Sequence, residues 1–194
     1  MKNHYRLAVS FLFLALSPFS AQATFFSDDC PLPAVNGKNA SFETAFTPDS
    51  HPTERVVTTL REAKHSIRVV AHTFISKDIA VELVKLGRNG RDVKILLDKN
   101  KNESGYTAAK FFITMDNPPH IPRDIKNQYE NYILIDDSEI ILGDIGALQG
   151  SYDEPKNSAG ILIIRNVPEL VKRYNDNWQR LWDGSQVMVE KISK

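Results

Sequence analysis

Apolar residues along this chain repeat at two different spacings, and the spacing changes from segment to segment. After the helix-start signal Asp49-Ser50-His51-Pro52, residues Val56, Val57, Leu60 and Ala63 recur at helical intervals. Residues 67–74 (IRVVAHTF) are dense in β-branched and apolar side chains and predict a strand. Ser76 or Asp78 can cap a second helix carrying Ile79, Val81, Leu83, Val84 and Leu86; Gly87 and the Asn89-Gly90 pair end it. Residues 93–97 (VKILL) predict another strand, closing at Asp98. A polar loop follows over 99–105, then a third helix over 106–115, stopped by Pro118-Pro119. Residues 132–135 and 139–142 form a predicted hairpin around Asp136-Asp137-Ser138. A turn-rich loop over 143–157 leads to a strand over 161–165. A last helix over 167–182 has Pro168 in its first turn and Gly184 just past its end.

Helices alternating with strands in the first half imply βαβ units and parallel pairing; the hairpin adds antiparallel pairing. The expected fold is α/β, a mixed and partly parallel sheet with helices on both faces. Residues 51–186 are the expected domain and 187–194 a tail. Residues 24–50, rich in Pro, Asn, Ser and Asp, are expected to form an irregular arm with one short strand near Ser41–Phe46.

Residues 1–23 have another character. Lys2 and Arg6 precede the apolar run LAVSFLFLAL at 7–16, and Ala21-Gln22-Ala23 follows. This is the pattern of a secretory signal peptide cleaved after about Ala23, so a periplasmic or secreted protein is expected. The run is too short to span a bilayer comfortably. Cleavage leaves 22 basic residues against 24 acidic ones, a net charge of −2. That argues against a general nucleic-acid binder, which usually carries a basic surplus. Cys30 is the only cysteine, so the chain makes no internal disulfide; it is either a tolerated thiol or a link between two copies.

Four segments recur together in a recognisable order: AKHSIRVVAHTF at 63–74, GRDVKILLDKN at 90–100, QYENYILID at 128–136 followed by GDIG at 143–146, and NVPELVKRYNDNWQRLW at 166–182. Together they resemble the single-domain bacterial Nuc-type endonucleases of the phospholipase D superfamily. The resemblance covers roughly residues 50–184. It implies one H-x-K-x-x-x-x-D motif per subunit followed by G-S-x-N, with two subunits bringing their motifs together in a homodimer. It also implies metal-independent chemistry without a cofactor: one imidazole attacks phosphorus, a second protonates the leaving oxygen, and lysines hold the phosphate charge.

With the register fixed on Asp136, the His position holds Tyr129 and the Lys position holds Asn131. Gly143 matches the family glycine, the Ser position holds Asp144, and the Asn position holds Gly146. Only Asp136 and Gly143 keep the family identity. No register shift supplies a histidine, because none follows His120. Asn131 has no charge with which to hold phosphate, and Asp144 places a negative charge where a phosphate oxygen would sit. Tyr129 as a nucleophile would need an activating base; a packed or hydrogen-bonded tyrosine is the simpler reading.

Other candidates are weaker. His72, inside a predicted strand, is the histidine best placed to reach a pocket; His51 stands at a helix start and His120 in a Pro-rich turn. No metal-binding spacing occurs, and a calcium site at Asp136, Asp137 and Asp144 lacks a loop pattern. Lys99, Lys101 and Arg91 form a loose basic cluster. Trp178 and Trp182 are core by default, although Trp182 suits a dimer interface. Two functions follow from these residues. One is a non-catalytic binding protein whose partner is a periplasmic protein, a lipid head group or a second copy. The other is a phosphodiesterase or endonuclease acting on nucleic acid or phospholipid with relocated catalytic residues.

Overall fold

The computed structural model describes residues 35, 37–103, 107–148 and 158–189. The expected signal peptide and Cys30 lie outside the described residues.

The elements run β1 (Ser41–Phe46), α1 (Pro52–Arg61), β2 (Ser66–Ala71), α2 (Lys77–Arg88), β3 (Asp92–Leu97), α3 (Lys99–Asn102), α4 (Ala109–Thr114), β4 (His120–Pro122), β5 (Tyr132–Ile135), β6 (Glu139–Gly143), β7 (Gly160–Arg165), α5 (Pro168–Asp183) and β8 (Ser185–Val187). One sheet takes the order β1-β7-β6-β5-β2-β3-β4-β8. The pairs β2–β3 and β3–β4 are parallel and every other pair is antiparallel. The expected mixed sheet is therefore present, flanked by helices.

Strand alternation divides the core in two. Ile67, Val69, Ala71, Ile95, Leu97, Ile133, Ile135, Ile141 and Ile163 share one cluster with α1, α2 and α4 through Val56, Leu60, Leu83 and Phe112. Val70, Leu96, Tyr132, Leu134 and Ile140 face the other way, against Val171, Trp178 and Leu181 of α5. The apolar spacing of α1 and α2 buries Val56 and Leu60 in one and Ile79, Leu83 and Leu86 in the other. Glu82 is buried within α2 and finds a partner in Arg61 of α1, whose Nη2 donates to it at 2.9 Å. Among the described residues no helix is long and apolar enough to cross a membrane.

Several expectations need correction. The short strand foreseen within the N-terminal arm is β1, and it pairs with β7 over all six of its residues, so the sheet begins before residue 51. At the other end β8 reaches Val187 and Met188 is buried, so the packed chain runs past 186. His120 lies in a strand rather than a turn: its ring stacks on Trp182 at 3.9 Å and its Nδ1 meets Ser185 Oγ at 2.9 Å. The polar loop after Asp98 contains the one-turn α3, because the Asp98 carboxylate accepts from the Lys101 N–H at 3.0 Å and caps the turn. The third helix shrinks to Ala109–Thr114.

Candidate functional site

The C-terminal ends of β2, β3 and β6 and the N-terminal ends of β5 and β7 meet at one end of the sheet. This follows from the pairing register, in which Ala71 lies beside Leu97, Val70 beside Tyr132, Tyr132 beside Leu142, and Gly143 beside Ile161. Loops leaving this end carry His72, Asp98, Asn102, Gln128, Tyr129, Asn131, Gly143, Asp144 and Gly146.

His72 stands one residue beyond β2, not inside it as the sequence predicts. The reason is visible in its backbone partners. Its N–H donates to Asn131 Oδ1 at 3.0 Å, and its carbonyl accepts from Asn102 Nδ2 at 2.8 Å. Side-chain amides have replaced the strand ladder at this point. The His72 ring is half-buried, and its Nδ1 lies 2.7 Å from the Gln128 carbonyl. A carbonyl oxygen can only accept, so Nδ1 carries the proton and Nε2 keeps its lone pair in the neutral ring.

Gln128 is held in turn. Its N–H donates to Asp98 Oδ2 at 2.7 Å, while Asp98 Oδ1 caps α3. Asp98, Asn102 and Gln128 are 2%, 3% and 3% exposed, so the floor of this region is polar and almost dry. Asn102 joins three segments: its Nδ2 donates to the carbonyls of His72 and Asp98, both at 2.8 Å, and its Oδ1 accepts from the Phe74 N–H at 3.2 Å. Such a network is costly to leave half-made and rigidifies the backbone when complete.

Tyr129 is 68% exposed, and its ring lies 5.0 Å from that of His72. Asn131 uses both halves of its carboxamide on backbone: Oδ1 on the His72 N–H and Nδ2 on the Tyr129 carbonyl at 3.3 Å. Asp144 turns toward β7, where its Oδ2 accepts from the Gly160 N–H at 3.3 Å and its own N–H donates to the Gly160 carbonyl at 3.1 Å. Gly143 has φ of 118°, and a Cβ there would lie 2.2 Å from the Gly160 carbonyl oxygen. A Cβ on Gly146 would lie 1.9 Å from the Thr73 carbonyl oxygen, and the Gly146 carbonyl accepts from the N–H groups of Ile75 and Ser76.

The structure thus brings Tyr129, Asn131, His72, Gly143, Asp144 and Gly146 to one end and leaves Asp136 at the other. Four strand residues lie between Asn131 and Asp136, which places the two about 17 Å apart along extended chain. Asp136 caps the start of β2 instead: its carboxylate accepts from the N–H groups of Lys64, His65 and Ser66 at 2.6, 2.8 and 2.8 Å. Burial pushes its carboxyl up, but these three donors outweigh burial and hold it below the usual carboxylate range. The conceivable calcium trio is therefore split between the two ends of β6, and no described group of His, Cys, Asp or Glu could hold a metal ion. The loose basic cluster is split too, since Arg91 precedes β3 and Lys99 and Lys101 follow it. Sequence reasoning passed over Asn102 and Gln128: isolated amides in polar stretches carry no periodic signal.

An eight-stranded mixed sheet flanked by helices, with these loops gathered at one end of β2, β3 and β5, defines an α/β domain with a candidate binding end. Residues 56–182 match the family described as cardiolipin synthase, phospholipase D-like domain, and the chain belongs to that family. It is 26% identical over 153 residues to a phospholipase D of Rickettsia typhi, an alignment covering 76% of this chain and 70% of that protein. The fold superposes on Nuc, a phospholipase D family member from Salmonella typhimurium, with a TM-score of 0.68 at 25% identity, covering 77% of this chain and 98% of that one. NucT from Helicobacter pylori shares the fold with a TM-score of 0.65 at 14% identity, covering 77% and 99%.

Proposed function

We propose that this is an exported phospholipase D-like domain that binds at the Tyr129 end of its sheet without turning over a phosphodiester. One observation carries the reading. Asn131, which stands where the family resemblance puts a phosphate-holding ammonium, is neutral and spends its carboxamide on the backbone of His72 and Tyr129. The group works as a bracket within the protein and, being neutral, can offer a substrate oxygen only the second N–H of its amide and no positive charge. Asp144 adds a carboxylate to the same end, which disfavours a phosphate there. A protein or head-group partner would meet the exposed Tyr129 ring with the His72 imidazole behind it. The test is turnover of DNA and of bis(p-nitrophenyl) phosphate by the purified protein, with and without EDTA. No turnover is expected; activity that disappears on Tyr129→Phe or His72→Ala would refute the reading. Export is checked by sequencing the N-terminus of the mature protein, with Thr24 expected first.

A second reading is favoured by the position of His72. An imidazole from β2 has its ring beside Tyr129, with Nδ1 anchored and Nε2 unengaged by that anchor. That is the preparation a relocated nucleophile requires. Under it, Tyr129→His combined with Asn131→Lys yields little, because another site already works. A large gain in turnover from that pair favours the non-catalytic reading.

A further inference from the structure

β1 is an edge of the sheet among the described residues, and its outward pattern differs from that of a protected edge. Ala45 packs into the core with α1, so Glu43 and Ala45 face the helices, while Phe42, Thr44 and Phe46 face the opposite side. Both phenylalanines remain in solvent there, Phe42 at 65% and Phe46 at 57%. The helix on that side, α5, lies against β5, β4 and β8. Phe46 rests on Gly160 of β7, where a Cβ would lie 2.6 Å from its ring, so the ring has a fixed seat. Edge strands are ordinarily blunted by lysine, by an internal proline or by brevity. β1 has six residues, no lysine and no proline, whereas the opposite edge, β8, has three residues.

The sequence of β1 is nearly palindromic about Thr44: Ser41-Phe42-Glu43-Thr44-Ala45-Phe46-Thr47. We propose that two copies of this chain pair antiparallel through their β1 edges about a two-fold axis at Thr44, joining the two sheets into one. In that register Phe42 of each copy stands opposite Phe46 of the other, giving two aromatic cross-strand pairs on one face. Glu43 stands directly opposite the small, uncharged Ala45, and the two Glu43 side chains, diagonal to one another across the axis, are each drawn to their own subunit's arginines. Glu43 is occupied within its own subunit, where Arg165 Nη1 donates to it at 3.3 Å. Unsatisfied edge donors and acceptors gain partners without any rearrangement of the fold.

The area sets the strength of the pairing. With about 200 Å² per phenylalanine side chain and the exposures given above, the four rings offer roughly 500 Å². A stable interface buries about 1,200–2,000 Å² in total. The strand pair is therefore a weak, concentration-dependent association. It is independent of what the Tyr129 end binds, and it differs from a dimer that would bring two such ends together.

Sedimentation equilibrium of the full chain over a concentration series tests this. Thr44 is exposed and meets its own copy, so Thr44→Lys and Thr44→Glu each place like charges face to face. Each variant is expected to be monomeric at concentrations where the wild type dimerises, with an unchanged far-ultraviolet circular dichroism spectrum. An equimolar mixture of the two is expected to recover the dimer. A monomeric wild type, a dimer that persists in both variants, or a mixture that stays monomeric would each overturn the proposal. Loss of dimer on Tyr129→Glu instead would assign the contact to the other end.

Discussion

Asp136, the residue just past β5, and Ser66 of β2 are tied in both directions: the Ser66 N–H donates to Asp136 Oδ1 at 2.8 Å and the Asp136 N–H donates to the Ser66 carbonyl at 3.0 Å. In the register that the family resemblance implies, this aspartate stands at the motif's Asp position, and here it stabilises the entry of a core strand. Its fate is separate from that of the positions at the opposite end.

Asp136 makes a pH-dependent contribution to stability. Its folded-state carboxyl lies below the ordinary range, so the unfolded chain takes up a proton first as pH falls. The contribution is complete above the unfolded-state value and is lost as pH drops through the folded-state one. Asp136→Asn is expected to lower stability by about 1–2 kcal/mol at pH 7, with a smaller difference at pH 3. Urea denaturation at both values checks it.

Asn131→Ala removes one bond to each of two backbone groups beside the Tyr129 ring. A stability loss of about 1–2 kcal/mol is expected. Faster amide exchange should be confined to His72 and its neighbours, which hydrogen-exchange mass spectrometry resolves.

Gly146→Ala brings a methyl group into the Thr73 carbonyl oxygen and must displace one of two backbone segments. Overpacking of this kind costs about 1–3 kcal/mol. The expected result is a fall in the thermal midpoint, larger than that for Gly90→Ala, where a Cβ meets no atom within 4 Å but backbone strain remains at φ 89°.

Arg61→Ala leaves the buried Glu82 carboxylate unpaired. The Arg61 hydrogen bond holds that carboxyl below its usual range against the opposing effect of burial, so its removal raises it. Because the arginine is exposed, the expected loss of stability is well below that of breaking a fully buried pair. The double variant Arg61→Ala with Glu82→Leu should recover part of it in a chemical denaturation series.

Periodic burial was legible in the sequence. Val56 and Leu60 of α1, Ile79 and Leu83 of α2, and the hairpin from Tyr132 to Gly143 all follow from spacing and turn residues. The hairpin turn needs two left-handed residues, and the adjacent aspartates Asp136 and Asp137 supply them at φ 50° and 51°. What the sequence hid depends on contacts remote along the chain. β4 and β8 are three residues each and exist because they pair with one another, His120 opposite Val187 and Pro122 opposite Ser185. The end of β2 at Ala71 is decided by Asn102 and Asn131, which lie 30 and 59 positions away from His72.

The bracket built by Asn131 also bears on how freely that position can change. An ammonium-bearing side chain introduced at that position would leave the His72 amide and the Tyr129 carbonyl without their partner before it could gain any hold on an anion. A change to a charged residue there passes through a less stable form, so the amide bracket itself resists that change.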